Sequence, residues 1–455
     1  MISSAEIMAQ RLSKMVQFPT VSFPDEKEMN FESFAGFQAY IEETYPNVHK
    51  VFKKEIVGRA GLLYHWKSEN PQYPPVMFTT HQDVVPANET NWTYPPFSGT
   101  IADGFVWGRG SSDSKSLLLA HMETMEALIE EGFSPKFDIY LAYGYNEEVG
   151  GGLQGSSAKM TCELLKSKGV HLGILIDEGG FIVDGKSFGV DGKTALIYIA
   201  EKGCATYKVF KKGTAGHTAI PPEINTVADV ARALVKIDER PIDYRMTPAF
   251  EAQLKSIAPY SGENRELFEN PYQNLEAIRQ KLKNDRLLSA NMSTTVSMTM
   301  LQGSTTPTTT PSETSAMLNV RTLQGDTLAS VLKELQDLAA PYAEVTLESG
   351  REASPVSDIH CEAFRILSES IRQEHPGCVV LPSNLPAGTD ARFYYPICDC
   401  VLRFTGFEDR LQEGKGGHCA DERFAINTID TSSKLFYRFL KNYQAHESGT
   451  EGELK

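Results

Sequence analysis

PPVMFTTHQD (residues 74–83), KFDIYLAYGYNEE (residues 136–148) and GILIDEGG (residues 173–180) are the stretches whose reading decides the fold. Each opens with a short apolar run of the length and type expected of a buried strand. Each closes on acidic or imidazole side chains: His81 and Asp83, Glu147 and Glu148, and Asp177. Open α/β sheets build their sites at the carboxyl ends of strands, which is where these groups fall. Between the first two runs, residues 116–131 place Leu118, Met122, Met125 and Ile129 at helical spacing. Strand and helix alternate, so the first part of the chain reads as an α/β domain.

The pattern changes near residue 201. CATYKVF (204–210) reads as a strand, NTVADVARALVKI (225–237) as a helix, and NMSTTVSMTML (291–301) and TSAMLNVR (314–321) as strands. DTLASVLKELQDLAA (326–340) then reads as a helix and AEVTLES (343–349) as a strand. That β-α-β-β-α-β order is the order of a ferredoxin-like sandwich. A polar stretch over residues 238–290 reads as a mostly helical insertion, and the Thr/Pro run STTPTTTPS (304–312) as a loop between strands. After about residue 351 the α/β pattern resumes, closing on the helical SSKLFYRFLKNY (432–443). A chain of 455 residues exceeds what one core usually supports. The expected architecture is an α/β domain (1–200 and 351–455) interrupted by an inserted α+β domain (201–350).

Acidic residues number 59 against 44 basic ones, for a formal net charge of −15. Nucleic acid and anionic membranes would repel such a chain, so neither is expected as a partner. Seven cysteines, an odd number, are scattered without the spacing of a disulfide framework or a zinc finger. They read as reduced thiols, and the expected compartment is the cytoplasm. The first 18 residues lack an apolar core and read as an amphipathic helix.

Glu147 and Glu148 are adjacent, and neighbours in an extended segment point to opposite sides. One can bind a metal while the other faces a bound water. Hydrolysis at two metals needs a few ligands per ion, a carboxylate to bridge them and an unligated carboxylate to move protons. The clusters at HQD, RGSSDSK around Asp113, NEE, LIDEGG and the later His418 contain that inventory.

Taken in order, HQDVVP, WGRGSSDSK, NEEVGG, IDEGG, GHTAIPPE, NVRTLQGD, GTDAR and GHCADE resemble the di-zinc aminoacylase and carboxypeptidase family. YPPFSGTIADGFVWGRG (94–110) resembles most the branch of carboxypeptidase S, Gly-X carboxypeptidase and N-acyl amino acid hydrolase. The resemblance implies a zinc-peptidase-like α/β catalytic domain with a ferredoxin-like lid used for homodimerisation. It implies two Zn²⁺ per subunit, at sites of a kind that Co²⁺ or Mn²⁺ can also occupy. His81, Asp113, Glu148, Asp177 and His418 are the implied ligands, with Asp113 bridging. Glu147 is the implied general base, and Asp83 the partner that orients the His81 ring. His217 is implied to stabilise the oxyanion, acting in relatives across the subunit boundary. Arg321 is implied to hold a substrate carboxylate through its bidentate fork, and Gly388 and Thr389 to line the substrate side. The chain departs from the family's usual residues at Ser114 and Thr308.

Taken singly, several of these residues have ordinary uses: Asp113 as a helix cap, Arg321 as a surface ion-pair partner, Asp390 and Arg392 as braces of a helix. The expected reaction is hydrolysis of an amide bond in a small peptide or N-acyl amino acid, releasing an amino acid with a free carboxylate. Carboxypeptidase, N-acyl amino acid hydrolase and dipeptidase share this catalytic kit. A binding protein that kept the fold without activity is the reading from another class, and the spare Glu147 argues against it.

Overall fold

The structure, a computed structural model, describes residues 1–282, 285–408 and 416–446. It divides into two compact units. One takes Met1–Ile199, Ser357–Pro382 and the described part of Thr389–Lys455; the other takes Ala200–Val356 and Ser383–Gly388. An α/β unit is thus interrupted along the chain by a second one.

The first unit is built on a mixed eight-stranded sheet. Its strand order is Lys53–Val57, Gly61–Trp66, Ile139–Gly144, Val76–His81, Leu172–Asp184, Cys398–Glu408, Lys193–Glu201, Val379–Leu385. The centre is parallel: Val76–His81 lies between Ile139–Gly144 and Leu172–Asp184, which in turn pairs with Cys398–Glu408. Every residue of Val76–His81 and Ile139–Gly144 is buried. That two-sided burial is why these strands read as apolar runs rather than as alternating patterns.

The helix Lys115–Glu130 shows more burial than its sequence pattern implies, being covered along most of its length. Its polar residues are accommodated internally. Glu123 accepts the Tyr45 hydroxyl at 2.9 Å and pairs with Arg11. His121 lies among rings, with centroids 5.2 Å from Phe78 and 5.6 Å from Phe436. Helix Thr431–Ala445 supplies Phe436, which closes the aromatic layer over this side of the sheet.

Strand Leu172–Asp184 does not end at Asp177, where the apolar run stops. Arg403 pairs with Asp177 and the next residue, Phe404, with Gly180, so Glu178 and Gly179 are unmatched. This is a bulge, which re-aims the side chains around it. Gly179 has φ +132° and a Cβ there would lie 2.8 Å from the Arg403 Cβ, so glycine is required at that step.

In the second unit the antiparallel sheet order is Thr295–Gln302, Glu313–Arg321, Cys204–Lys212, Glu344–Arg351. Helices Thr226–Asp238 and Leu328–Ala339 pack on it through Val230, Ala233, Ile237, Val331 and Leu335, against Tyr207, Val209, Leu318 and Val345. This is the ferredoxin-like arrangement read from the sequence. The 238–290 stretch contains short helices, of which Pro248–Ile257 buries Phe250, Leu254 and Ile257. Ser383–Gly388 belongs to this unit because Lys202 N–H donates to the Leu385 carbonyl at 2.9 Å and Asn384 bonds Gln324 at 2.9 Å. Among the described residues no helix is long and apolar enough to cross a membrane. All seven cysteines are free thiols.

Candidate metal centre

His81 ends its strand with the side chain 1% exposed. Its Nδ1 lies 2.8 Å from the backbone carbonyl of Asp83, which can only accept. Nδ1 therefore carries the proton in the neutral ring, and the Nε2 lone pair is left facing the cluster. Nε2 lies 3.1 Å from Asp113 Oδ1 and 3.3 Å from Glu178 Oε2. The other oxygen of Asp113, Oδ2, lies 3.4 Å from His418 Nε2. His418 Nε2 is also 2.8 Å from Glu148 Oε2. One carboxylate thus stands between two imidazoles, offering an oxygen to each.

Ligand-type atoms of His81, Glu147 and Glu178 lie within 4.8 Å of one another, as do those of His81, Asp113 and Glu148. Burial pushes the Glu147 carboxyl well above its ordinary range, and the charge of Glu178 adds to the shift. Glu148 is raised as well, again chiefly by burial. Burial disfavours a charged His81, but Glu178, Asp113 and Asp83 reverse this and hold its pKa well above the usual value. Carboxylates crowded out of water in this way call for positive charge among them. Glu148 Oε1 is buried with no hydrogen-bond partner, an acceptor left open within the cluster. Imidazole nitrogens and carboxylate oxygens in this ratio fit divalent zinc, cobalt or manganese.

Asp177 and Asp83 make contacts beyond those expected of them. Asp177, expected to be a ligand, accepts two backbone donors. Oδ1 accepts the Glu178 N–H at 2.8 Å and Oδ2 the Ala391 N–H at 2.7 Å, which leaves each oxygen a second lone pair. Its neighbour Glu178, at the bulge, has Oε2 3.3 Å from His81 Nε2. Asp83 does orient the His81 ring, but through its backbone carbonyl; its carboxylate Oδ1 is 3.6 Å from Nδ1. That carboxylate accepts the N–H groups of Glu147 and Glu148, each at 3.2 Å, and so fixes the backbone that carries the glutamate pair.

The remaining expected residues have clear local settings. His217 lies in the second unit, in an exposed two-residue strand paired with Thr309–Thr310. Its Nδ1 accepts the Ala219 N–H at 3.0 Å, which leaves Nε2–H as the donor of the neutral ring. Arg321 donates from Nε to Asn319 at 3.2 Å and from Nη1 to the Pro386 carbonyl at 3.3 Å. Gly388 packs directly on the Arg351 guanidinium: a Cβ would lie 1.9 Å from Nη2. Thr389 caps the turn Asp390–Phe393, accepting the Ala391 N–H at 3.3 Å. Arg392 braces the same turn through the Thr389 carbonyl at 2.5 Å. Asp390 is buried, which pushes its carboxyl up to about 6.

Glu178, Glu422 and Arg109 went unassigned in the sequence although each stands inside a quoted motif. A doubled glycine after DE is compatible with a bulge, but only strand register shows which acidic residue it turns inward. Glu422 and Arg109 form a buried ion pair at 2.5 Å between segments 313 residues apart, and sequence spacing carries no signal for such a pair.

A family profile described as Peptidase family M20/M25/M40 matches residues 77–442. The chain is 29% identical to a carboxypeptidase S-like protein of Dictyostelium discoideum, over 96% of this chain and 85% of that one. It is 28% identical to the N-fatty-acyl-amino acid synthase/hydrolase PM20D1 of Bos taurus, over 97% and 88% of the two chains. Among solved structures it resembles the metallo-carboxypeptidase Sso-CP2 of Sulfolobus solfataricus. The TM-score is 0.69 at 16% identity, with 96% of this chain and 99% of that one covered.

Proposed function

The chain belongs to peptidase family M20/M25/M40, and from that premise we propose a two-ion metallohydrolase that cleaves the amide bond of an N-acyl amino acid or short peptide. The observation that carries the metal reading is the Asp113 carboxylate, whose two oxygens address His81 on one side and His418 on the other. His81, Asp113 and Glu178 are the proposed ligands of one ion, and Asp113, Glu148 and His418 those of the other. When bound there, two divalent ions, Zn²⁺ in our reading, would supply Lewis acidity and make water a stronger acid.

The chain's own residues do the rest. Glu147 takes the proton from the attacking water and delivers it to the leaving amine. Asp83 keeps that carboxylate in place by gripping its backbone N–H. His217 presents Nε2–H to the developing oxyanion; a preorganised donor of this kind is typically worth a few kcal/mol. Arg321 keeps Nη2 free of the contacts made by Nε and Nη1, and we assign it the carboxylate of the departing amino acid. Gly388 and Thr389 flank the path of the substrate.

The second unit carries exposed Met298, Met300 and Leu301 on its edge strand, and Val227 and Val235 on a helix. An unpaired edge with apolar side chains is a surface that a second copy can cover. We therefore propose a homodimer through this unit, with His217 serving the partner's site. The seven free thiols support a reducing compartment, the cytoplasm.

The test pairs metal analysis with amine release from a panel of N-acyl amino acids and dipeptides. Glu147→Gln should retain both ions and lose activity by about 10²-fold or more. Mixing it with His217→Ala should restore part of the activity in heterodimers. Turnover by chelated, metal-free protein, or wild-type rates from Glu147→Gln, would end the reading.

A further inference from the structure

The turn that presents Asp113 closes on itself through two backbone bonds, Ser111 N–H to the Gly108 carbonyl and Lys115 N–H to the Gly110 carbonyl, each at 3.1 Å; three of its other N–H groups meet one distant residue. Glu422 is wholly buried. Its Oε1 accepts three backbone N–H groups, those of Gly110 at 3.0 Å, Ser112 at 2.9 Å and Asp113 at 3.0 Å. Its Oε2 takes Arg109 Nη1 at 2.5 Å, and its backbone carbonyl accepts the Gly108 N–H at 2.8 Å. Within residues 108–113, the N–H groups of Gly108, Gly110, Ser112 and Asp113 are thus all met by Glu422, through its side chain or its own peptide. Charge-assisted bonds of this kind are about twice as strong as neutral ones. Arg109 is steadied in turn by Trp92, whose ring centroid lies 5.4 Å from the guanidinium carbon.

The same short segment carries His418. Between them, Asp421 anchors the chain by accepting the Thr93 N–H at 2.6 Å and the Thr93 hydroxyl at 2.9 Å. His418 and Asp421 both adopt left-handed backbone, φ +67° and +62°. Non-glycine residues hold that conformation only where their surroundings enforce it. The segment therefore has two ends with one purpose. At one, His418 reaches Asp113 Oδ2; at the other, Glu422 fixes the peptide N–H of the same Asp113.

We propose that Glu422 is a positioning residue of the metal centre. It ties the Asp113 turn to the His418 segment, so that the Asp113 carboxylate is held between the two imidazoles before any ion arrives. This rests on the reading of Asp113 and His418 as ligands. It assigns Glu422 no contact with ion or substrate. Residues that orient metal ligands in this way typically contribute 10–100-fold in metal affinity. A buried ion pair that served only the fold would leave that affinity unchanged.

The experiment strips wild type, Glu422→Gln, Glu422→Asp and Glu422→Ala of metal, then titrates each with Zn²⁺ against a chromophoric chelator. Thermal unfolding of the metal-free forms is measured alongside. Wild type should bind two ions. Glu422→Gln keeps an acceptor oxygen for the three N–H groups and should stay within about tenfold of wild type. Glu422→Ala should weaken both ions by about 10–100-fold, since Asp113 faces both histidines. Glu422→Asp retains the charge but withdraws the oxygen by one methylene; it should weaken both ions by at least about tenfold and decides the question if the alanine variant does not fold. Wild-type affinity in folded Glu422→Ala or Glu422→Asp overturns the positioning role while leaving the metal reading intact. A wild-type chain that binds no ion overturns both, and that result is seen without any variant.

Discussion

Exchanging single atoms at two neighbouring residues separates ligand from scaffold in the DE pair at 177 and 178. Asp177 uses both oxygens on backbone donors, Glu178 N–H at 2.8 Å and Ala391 N–H at 2.7 Å. Asp177→Asn keeps one acceptor and turns an amide N–H₂ onto the other donor. The loss is one satisfied buried bond plus a donor facing a donor, about 1–3 kcal/mol of stability. Metal affinity should change by less than about tenfold, because in our reading Glu178 rather than Asp177 is the ligand beside His81. Glu178→Gln is the converse. Glu178 Oε2 sits 3.3 Å from His81 Nε2, and its charge raises the pKa of both Glu147 and Asp177. Neutralising it relieves repulsion, so the metal-free protein should be as stable as wild type or more so. Orienting partners already contribute 10–100-fold to metal affinity, so removing a direct carboxylate ligand should cost about 100-fold or more. Zn²⁺ titration of chelated protein reads the affinities, and urea midpoints read the stabilities. Metal loss in Asp177→Asn with wild-type binding in Glu178→Gln would refute the assignment.

Two further outcomes follow from other parts of the molecule. His121 is buried among rings with neither ring nitrogen bonded, and burial pushes its pKa down to about 3. The unfolded chain takes up this proton below about pH 6.5 and the folded chain does not until about pH 3, so stability falls as pH falls through that window. Each pH unit costs about 1.4 kcal/mol, or roughly 2 kcal/mol at pH 5. Replacing the ring with leucine (His121→Leu) should flatten that loss in urea midpoints taken between pH 8 and 5; parallel curves for the two proteins would disprove it. At the edge strand, Met300→Lys with Leu301→Lys adds two charges where Met300 and Leu301 are 52% and 65% exposed. Sedimentation should then give a monomer with the unfolding midpoint little changed, and amide hydrolysis should drop with the dimer. A fully active monomer would rule out catalysis by His217 across subunits.

What the sequence determined by itself follows from short-range physics. Short apolar runs around VMF and YLA (residues 76–78 and 140–142), bounded by turn residues, read as strands buried on both faces, and they become part of the parallel centre of the sheet. Helical spacing around Val230 and Val331 likewise announces the two helices of the inserted unit, which pack as such. His81, Asp113, Glu148 and His418, read from motifs up to 337 residues apart, come together in the structure.

The tertiary structure decided what depends on register and on partners far along the chain. Which residue of the DE pair faces His81 turns on two unmatched residues against Cys398–Glu408, and period-two alternation cannot foresee a bulge. Asp83 was legible as a group beside His81, yet its carboxylate was free to choose other donors once the glutamate backbone came within reach. The extensive burial of helix Lys115–Glu130 required a second helix, Thr431–Ala445, that lies some 300 residues later in the chain. Glu422 carries no local signal because its partners are backbone N–H groups, and every residue but proline has one. Only folding determines which of them lack a carbonyl and must be met by a side chain.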